Sequence, residues 1–242
     1  MMNIIRVANY EEMSIEAGKL IAEKVRANPS MTLGLATGST PQGFYQYLVK
    51  DHITNGTTYK NIKSINLDEY IGLPASDPNS YHYFMQKNLF DHVDISSKNT
   101  HIPNGAATDL DEECVRYENL IKEVGGIDLQ ILGIGQNSHI GFNEPGTSFH
   151  SRTHVVALAK NTLEANARFF AKLEDVPTHA LTMGIASILD SKEIFLLASG
   201  TAKAKAVAQL FTEGISEDFP ASALKQHQKV TIIADEDALK YI

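Results

Sequence analysis

The feature that most constrains this chain is alternation: short apolar, β-branched runs are separated by longer segments in which apolar residues return every three or four positions. Such a pattern lays down strand, helix and strand in turn, and neighbouring parallel strands need such crossovers because a tight turn cannot join them. Strands are predicted at Ile4–Val7, Met31–Ala36, Ser64–Leu67, Ile127–Ile134, Val155–Leu158, Glu193–Ser199 and Val230–Ala234. Several are apolar nearly throughout, as strands are when helices cover both faces of a sheet. Helical spacing is predicted over Pro41–Asp51, Tyr81–His92, Leu110–Val124, Thr162–Ala171, Gly184–Leu189 and Ala202–Phe211. An earlier helix begins at Asn9, where Asn9-x-x-Glu12 suits a capping box, and stops at Asn28-Pro29.

The fold class that follows is α/β: a doubly wound, mostly parallel, Rossmann-like sheet with helices on both faces. No repeat, low-complexity run or Pro/Gly/Ser linker divides the 242 residues, so a single domain is expected. Charge then bounds the partners. Lys and Arg number 21 against 29 Asp and Glu, a net −8, which argues against nucleic acid and against charge-driven attachment to anionic membrane. The single cysteine, Cys114, makes neither an intramolecular disulfide nor a Cys-rich metal site. The N-terminal MMNIIRVANYEEM lacks the apolar core of a secretory leader, and no apolar run approaches the roughly 18 residues of a membrane span. A soluble, cytoplasmic protein is expected.

In doubly wound sheets ligands gather beyond the carboxyl ends of strands, so strand-to-helix loops are where chemistry is sought. In the first, Leu33–Gly43, an apolar strand runs into Thr37, Gly38, Ser39 and Thr40, and Pro41 suits the first turn of a helix. Open amides and hydroxyls there can cradle a phosphate, although the stretch alone serves equally as an ordinary strand–helix turn. In the second, Asp68 and Glu69 end a short strand; adjacent carboxylates raise one another's pKa, which suits a general base. Strand geometry turns the two to opposite faces, so one enters a cleft, and locally a solvated acidic loop is the commoner outcome. In the third, the Gly-rich run Gly133–Gly146 carries His139, with Glu144 close enough to orient its imidazole. Two cations complete the set: Arg168 on a helical pattern, and Lys203 after Ser199-Gly200-Thr201-Ala202. His150 and His154 are four apart, but no third ligand accompanies them, so no metal is expected. Tyr81, Tyr83, Phe84, Leu89 and Phe90 read as helix core.

With these loops assembled, the chain resembles the glucosamine-6-phosphate deaminases (glucosamine-6-phosphate isomerases) over essentially its whole length. The resemblance rests on LATGSTP at 35–41, NLDEYIGL at 66–73, SYHYFM at 80–85, GIGQNSHIGFNEPG at 133–146, SRT at 151–153, ARFF at 167–170 and SGTAKAKAV at 199–207. It implies conversion of glucosamine 6-phosphate and water to fructose 6-phosphate and ammonia, without a metal or other cofactor. Asp68 is then the implied base at C2 and His139 the implied acid/base of ring opening, supported by Glu144. The phosphate falls to Thr37, Gly38, Ser39, Thr40, Arg168 and Lys203, and a mobile lid is implied around 162–182. Asn137 stands where some members carry Asp, which leaves it a supporting, uncharged role. His154 and Val156 stand where the allosteric members are basic, so activation by N-acetylglucosamine 6-phosphate is not expected.

The runner-up enzyme reading is a 6-phosphogluconolactonase, which shares the fold but typically carries a GHxxSLFP-type segment where this chain reads SHIGFNEP. A non-catalytic sugar-phosphate sensor is the other class; this chain has no helix-turn-helix extension and keeps Asp68, His139 and Glu144. The acidic balance does not oppose a phosphate ligand, because Arg168, Lys203 and a helix start set the local field while distant carboxylates are screened.

Overall fold

The computed structural model describes residues 2–159, 162, 163, 170, 172 and 175–242. In chain order the strands are β1 (Asn3–Val7), β2 (Thr32–Leu35), β3 (Lys63–Asn66), β4 (Asp68–Tyr70), β5 (Thr100–His101), β6 (Leu129–Gly133), β7 (His154–Ala157), β8 (His179–Thr182), β9 (Ile194–Ala198) and β10 (Val230–Asp235). The helices are α1 (Tyr10–Ala27), α2 (Ser39–Asn55), α3 (Tyr81–Asn88), α4 (Leu110–Glu123), α5 (Ile185–Leu189) and α6 (Ala204–Thr212).

Seven strands form one sheet in the order β1-β10-β9-β6-β2-β3-β5, every adjacent pair parallel. Its two faces are buried under separate apolar clusters. Ile194, Leu196 and Ala198 of β9 face one cluster, while Phe195 and Leu197 face the other. That double burial is why β9 reads as an unbroken apolar run. Truncating Leu196 to Ala would cost about 2–5 kcal/mol, through lost transfer energy and the cavity left behind.

The helix boundaries follow local chemistry. Asn9 Oδ1 accepts from the Glu12 amide at 3.0 Å and Glu12 Oε2 accepts from the Ala8 amide at 2.9 Å, so the expected capping interaction forms at the start of α1. Helix α2 begins at Ser39, two positions before Pro41. The helix expected over Tyr81–His92 breaks at Leu89 into α3 and a short 3-10 turn, Phe90–His92. Ahead of α6, Thr201–Lys203 is likewise a 3-10 turn.

Three strand placements go beyond what the sequence pattern specified. The run expected at Val155–Leu158 is β7, and it belongs to a second, antiparallel sheet in the order β4-β8-β7. The end of the expected lid, His179–Thr182, is the middle strand of that sheet, bonded along both edges. Strands β4 and β5, three and two residues long, carry no apolar run and leave no periodic signal. Of the helix expected over Thr162–Ala171, only 162, 163 and 170 are described, so Arg168 lies outside the described residues.

The topology fixes where a ligand can sit. From β2 the chain crosses through α2 to β3 on one side, whereas β6, on the other side of β2, leads on towards β9. The carboxyl ends of β2 and β6 therefore flank the point where strand order reverses, the crevice in which open α/β sheets bind ligands.

Candidate active site

A cavity of about 250 Å³ opens at that crevice, lined by the β2–α2 loop, the post-β6 loop, Asp68 and Lys203. Thr37, Gly38, Ser39 and Thr40 form one wall. Gly38 caps α2 with φ 94°, a left-handed conformation, and offers no side chain of its own to the first-turn amides. The start of this 17-residue helix lines the cavity and turns the positive end of its dipole towards it. Tyr10 pins the turn from below: its hydroxyl donates to the Ser39 carbonyl at 2.8 Å and accepts from the Gly43 amide at 3.0 Å. Lys203 also lines the cavity, from the junction of the 3-10 turn and α6.

The two adjacent carboxylates separate as strand geometry requires. Asp68 lines the cavity at 6% exposure, and burial, reinforced by the neighbouring Glu69 charge, pushes its carboxyl up to about 8. Glu69 turns away and accepts from the amides of Tyr70 (2.8 Å), Tyr81 (2.9 Å) and His82 (2.9 Å), holding down the start of α3. Burial raises the Glu69 carboxyl as well, against the opposing pull of those three amides.

His139 stands in a loop built around its ring. A Cβ on Gly135 would fall 2.4 Å from the imidazole, so only glycine lets the ring pack on that backbone. Asn143, wholly buried, donates to the carbonyls of Ile140 (2.8 Å) and Met183 (2.9 Å), tying the loop to the segment after β8. His139 Nδ1 lies 3.6 Å from Glu144 Oε2. The same carboxylate accepts from Asn137 Nδ2 and from Thr162 Oγ1, both at 2.5 Å. Burial alone would raise the Glu144 carboxyl; the His139 imidazole, Thr162 and Asn137 more than offset it and leave the group below its usual range. Glu144 is therefore a charged, fixed partner for an imidazole that takes up a proton.

Asp68, His139 and Asn137 line one cavity with the phosphate-type loop and Lys203, and Glu144 stands directly behind the imidazole. His154 lies on β7 rather than on a helix, with Nδ1 2.8 Å from the Arg152 carbonyl, so it does not share a helix face with His150. Among the described residues no group of three His, Cys, Asp or Glu gathers as metal ligands, and no helix is long and apolar enough to cross a membrane.

Three contributors escaped the sequence reading. Tyr81, expected in a helix core, lines the cavity and stacks on Phe142 with centroids 6.1 Å apart. Its proximity to the 66–73 motif was the available signal. Thr162 touches Glu144 across 18 residues of chain, and no local pattern marks such a contact. Asp235 anchors the loop carrying Lys203, and its only sign was a carboxylate ending an apolar strand.

A helix start, a high-pKa carboxylate and a carboxylate-backed imidazole, gathered at the switch point of a doubly wound sheet, define an α/β acid–base enzyme site for a small anionic ligand. The chain belongs to the family of glucosamine-6-phosphate isomerases and 6-phosphogluconolactonases, whose sequence profile matches residues 8–233. It is 58% identical over 241 residues to the glucosamine-6-phosphate deaminase of Geobacillus sp. (strain WCH70), covering 100% of this chain and 96% of that one. A solved monomeric glucosamine-6-phosphate deaminase superimposes with a TM-score of 0.98 at 51% identity, over 100% of both chains. The 6-phosphogluconolactonase from Trypanosoma cruzi shares the fold, with a TM-score of 0.82 at 18% identity.

Proposed function

We propose that the chain converts glucosamine 6-phosphate and water to fructose 6-phosphate and ammonia, a step of amino-sugar breakdown. One observation carries the reading: Asp68, His139 and the start of α2 line the same cavity. Phosphate at the α2 amides and Lys203 would fix the far end of the sugar and aim its reactive carbons at Asp68. Arg168, implied in the same role by resemblance, lies outside the described residues.

His139, backed by Glu144, moves the proton at the ring oxygen and opens the sugar to its aldehyde. Asp68 then removes the proton from C2, acidified by the adjacent carbonyl; the electron pair forms the C1–C2 double bond of an enolamine as the C1=O π pair moves to O1, which takes up a proton. Return of a proton to C1 leaves an imine at C2; water adds there, the C–N bond breaks, and ammonia departs. A carboxylate of ordinary pKa is a weak base towards a carbon-bound proton, and burial strengthens Asp68 for that step. Asn137 donates to Glu144 and so holds the charged partner rather than touching the imidazole itself.

Arg152 pairs with Asp190 at 2.5 Å beside the positions that would have to be basic for activation by N-acetylglucosamine 6-phosphate. We therefore expect hyperbolic kinetics, and a sigmoidal rate curve abolished by that sugar would overturn the expectation. The activity itself is tested by incubating the protein with glucosamine 6-phosphate and, separately, with 6-phosphogluconolactone. Equal amounts of ammonia and fructose 6-phosphate are expected. Lactone hydrolysis without ammonia would instead assign the other branch of the family.

A further inference from the structure

We propose that Asp235 is a positioning residue for the phosphate arm of the cavity, fixing Lys203 through the Ser199–Gly200 turn. Asp235 ends β10, and its backbone is set by parallel pairing with Val7 of β1. Its side chain is 4% exposed and is spent on the neighbouring loop. Oδ1 accepts from the Gly200 amide at 3.0 Å and from the Ala238 amide at 2.8 Å; Oδ2 accepts from Ser199 Oγ at 2.5 Å and from Gly200 again at 3.1 Å.

Gly200 is the hinge that this carboxylate holds. It sits at φ 87°, a left-handed turn between β9 and the 3-10 turn Thr201–Lys203, and its carbonyl accepts the Lys203 amide at 3.0 Å. One residue, Gly200, therefore separates the Asp235 carboxylate from the backbone of the lysine that lines the cavity. A glycine in an exposed loop would wander; here a buried carboxylate that accepts from three donors, the Gly200 amide among them, fixes it to the sheet.

The proposal rests on Lys203 meeting the substrate phosphate, so the experiment tests both. Asp235→Ala, Asp235→Asn and Lys203→Met are compared for kcat, KM for glucosamine 6-phosphate and the competitive inhibition constant of inorganic phosphate. Asp235→Ala is expected to raise KM and the phosphate constant together by about tenfold, with kcat within about threefold, the mark of lost binding rather than lost chemistry. Asp235→Asn keeps one acceptor oxygen for Gly200 and should recover most of that loss, raising the phosphate constant about threefold. A folded Asp235→Ala protein with wild-type phosphate inhibition, beside a Lys203→Met protein in which it is weakened, overturns the proposal alone. If Asp235→Ala does not fold, an unchanged phosphate constant in Asp235→Asn overturns it equally. An unchanged constant in Lys203→Met removes the phosphate reading and the proposal with it.

Discussion

Asp68 and Glu69 are adjacent in sequence and opposed in space: Asp68 faces the cavity, while Glu69 reaches behind β4 to the amides of Tyr81 and His82. The period-two geometry of a strand imposes that split. One carboxylate is left with few donors and a raised pKa, and the other holds a helix in place. Ser80 Oγ completes the cap by accepting the Tyr83 amide at 3.0 Å, so the first three amides of α3 are all satisfied.

Replacing Asp68 by Asn removes the proposed base without changing its shape. We expect kcat to fall by about 10³-fold or more with substrate binding largely kept. Stability should move the other way. The folded carboxyl sits at about 8 against an ordinary 3.8, so the folded state holds the proton more tightly, and wild type loses stability as pH rises through that interval. Asn carries no such penalty. Its gain over wild type is absent below about pH 4 and full above about pH 8. Thermal unfolding at several pH values reads this directly, and an Asn variant less stable than wild type at pH 8 would contradict it.

The same shift predicts a rate profile. Asp68 accepts the C2 proton only as a carboxylate, so kcat/KM should rise with pH and level off above about 8. A plateau already reached at pH 5 would mean that the group acting on carbon is not this buried acid.

Much of this site was legible before the fold was known, and the limits are physical. The post-β6 loop announced itself because Leu129–Gly133 is buried on both faces and hence apolar, and because glycines at 133, 135 and 141 crowd around a histidine. Strand β8 hid within an expected lid, since four residues with an exposed first position carry too short a pattern to separate from helix. Thr162 and Asp235 act on partners 18 and 35 residues away, distances at which only the folded chain establishes contact.

Glu69→Ala should act on stability first. It strips the acceptor from three backbone amides in a buried place, and each unsatisfied donor costs about 1–3 kcal/mol. Denaturant unfolding should show a loss of several kcal/mol, with Glu69→Gln, which keeps one acceptor oxygen, losing less. Equal stability of the Ala variant and wild type would rule out the anchoring role.

Asn137→Leu tests the support behind the imidazole. The substitution keeps the branched skeleton and deletes the donor to Glu144 Oε2, the oxygen that faces His139 Nδ1. Loss of an outer partner of this kind costs about tenfold or more, and here it should fall on kcat rather than KM. An unchanged kcat would show that Thr162 alone fixes Glu144.

Ser138 is the one described non-glycine residue with positive φ, 68°, and it immediately precedes His139. Its strain is held by three contacts: its amide donates to the Gly135 carbonyl at 3.0 Å, its carbonyl accepts from the Ala221 amide at 3.0 Å, and its hydroxyl donates to Gln209 Oε1 at 3.1 Å. A side chain in this region costs about 1–2 kcal/mol, and the hydroxyl contact returns about 0.5–1.5 kcal/mol. Ser138→Gly removes both and should leave stability within about 1 kcal/mol of wild type. Ser138→Ala keeps the strain and loses the bond, so it should be less stable by about 1 kcal/mol. Ser138→Val adds a β-branch that this conformation does not tolerate and should be the worst of the three. Denaturation midpoints give the order. Turnover should separate the variants differently, because Ser138→Gly frees the backbone beneath His139 and is expected to lose kcat while keeping its stability. If glycine instead matched wild type in both, the left-handed turn would be mere geometry, with no part in holding the imidazole on target.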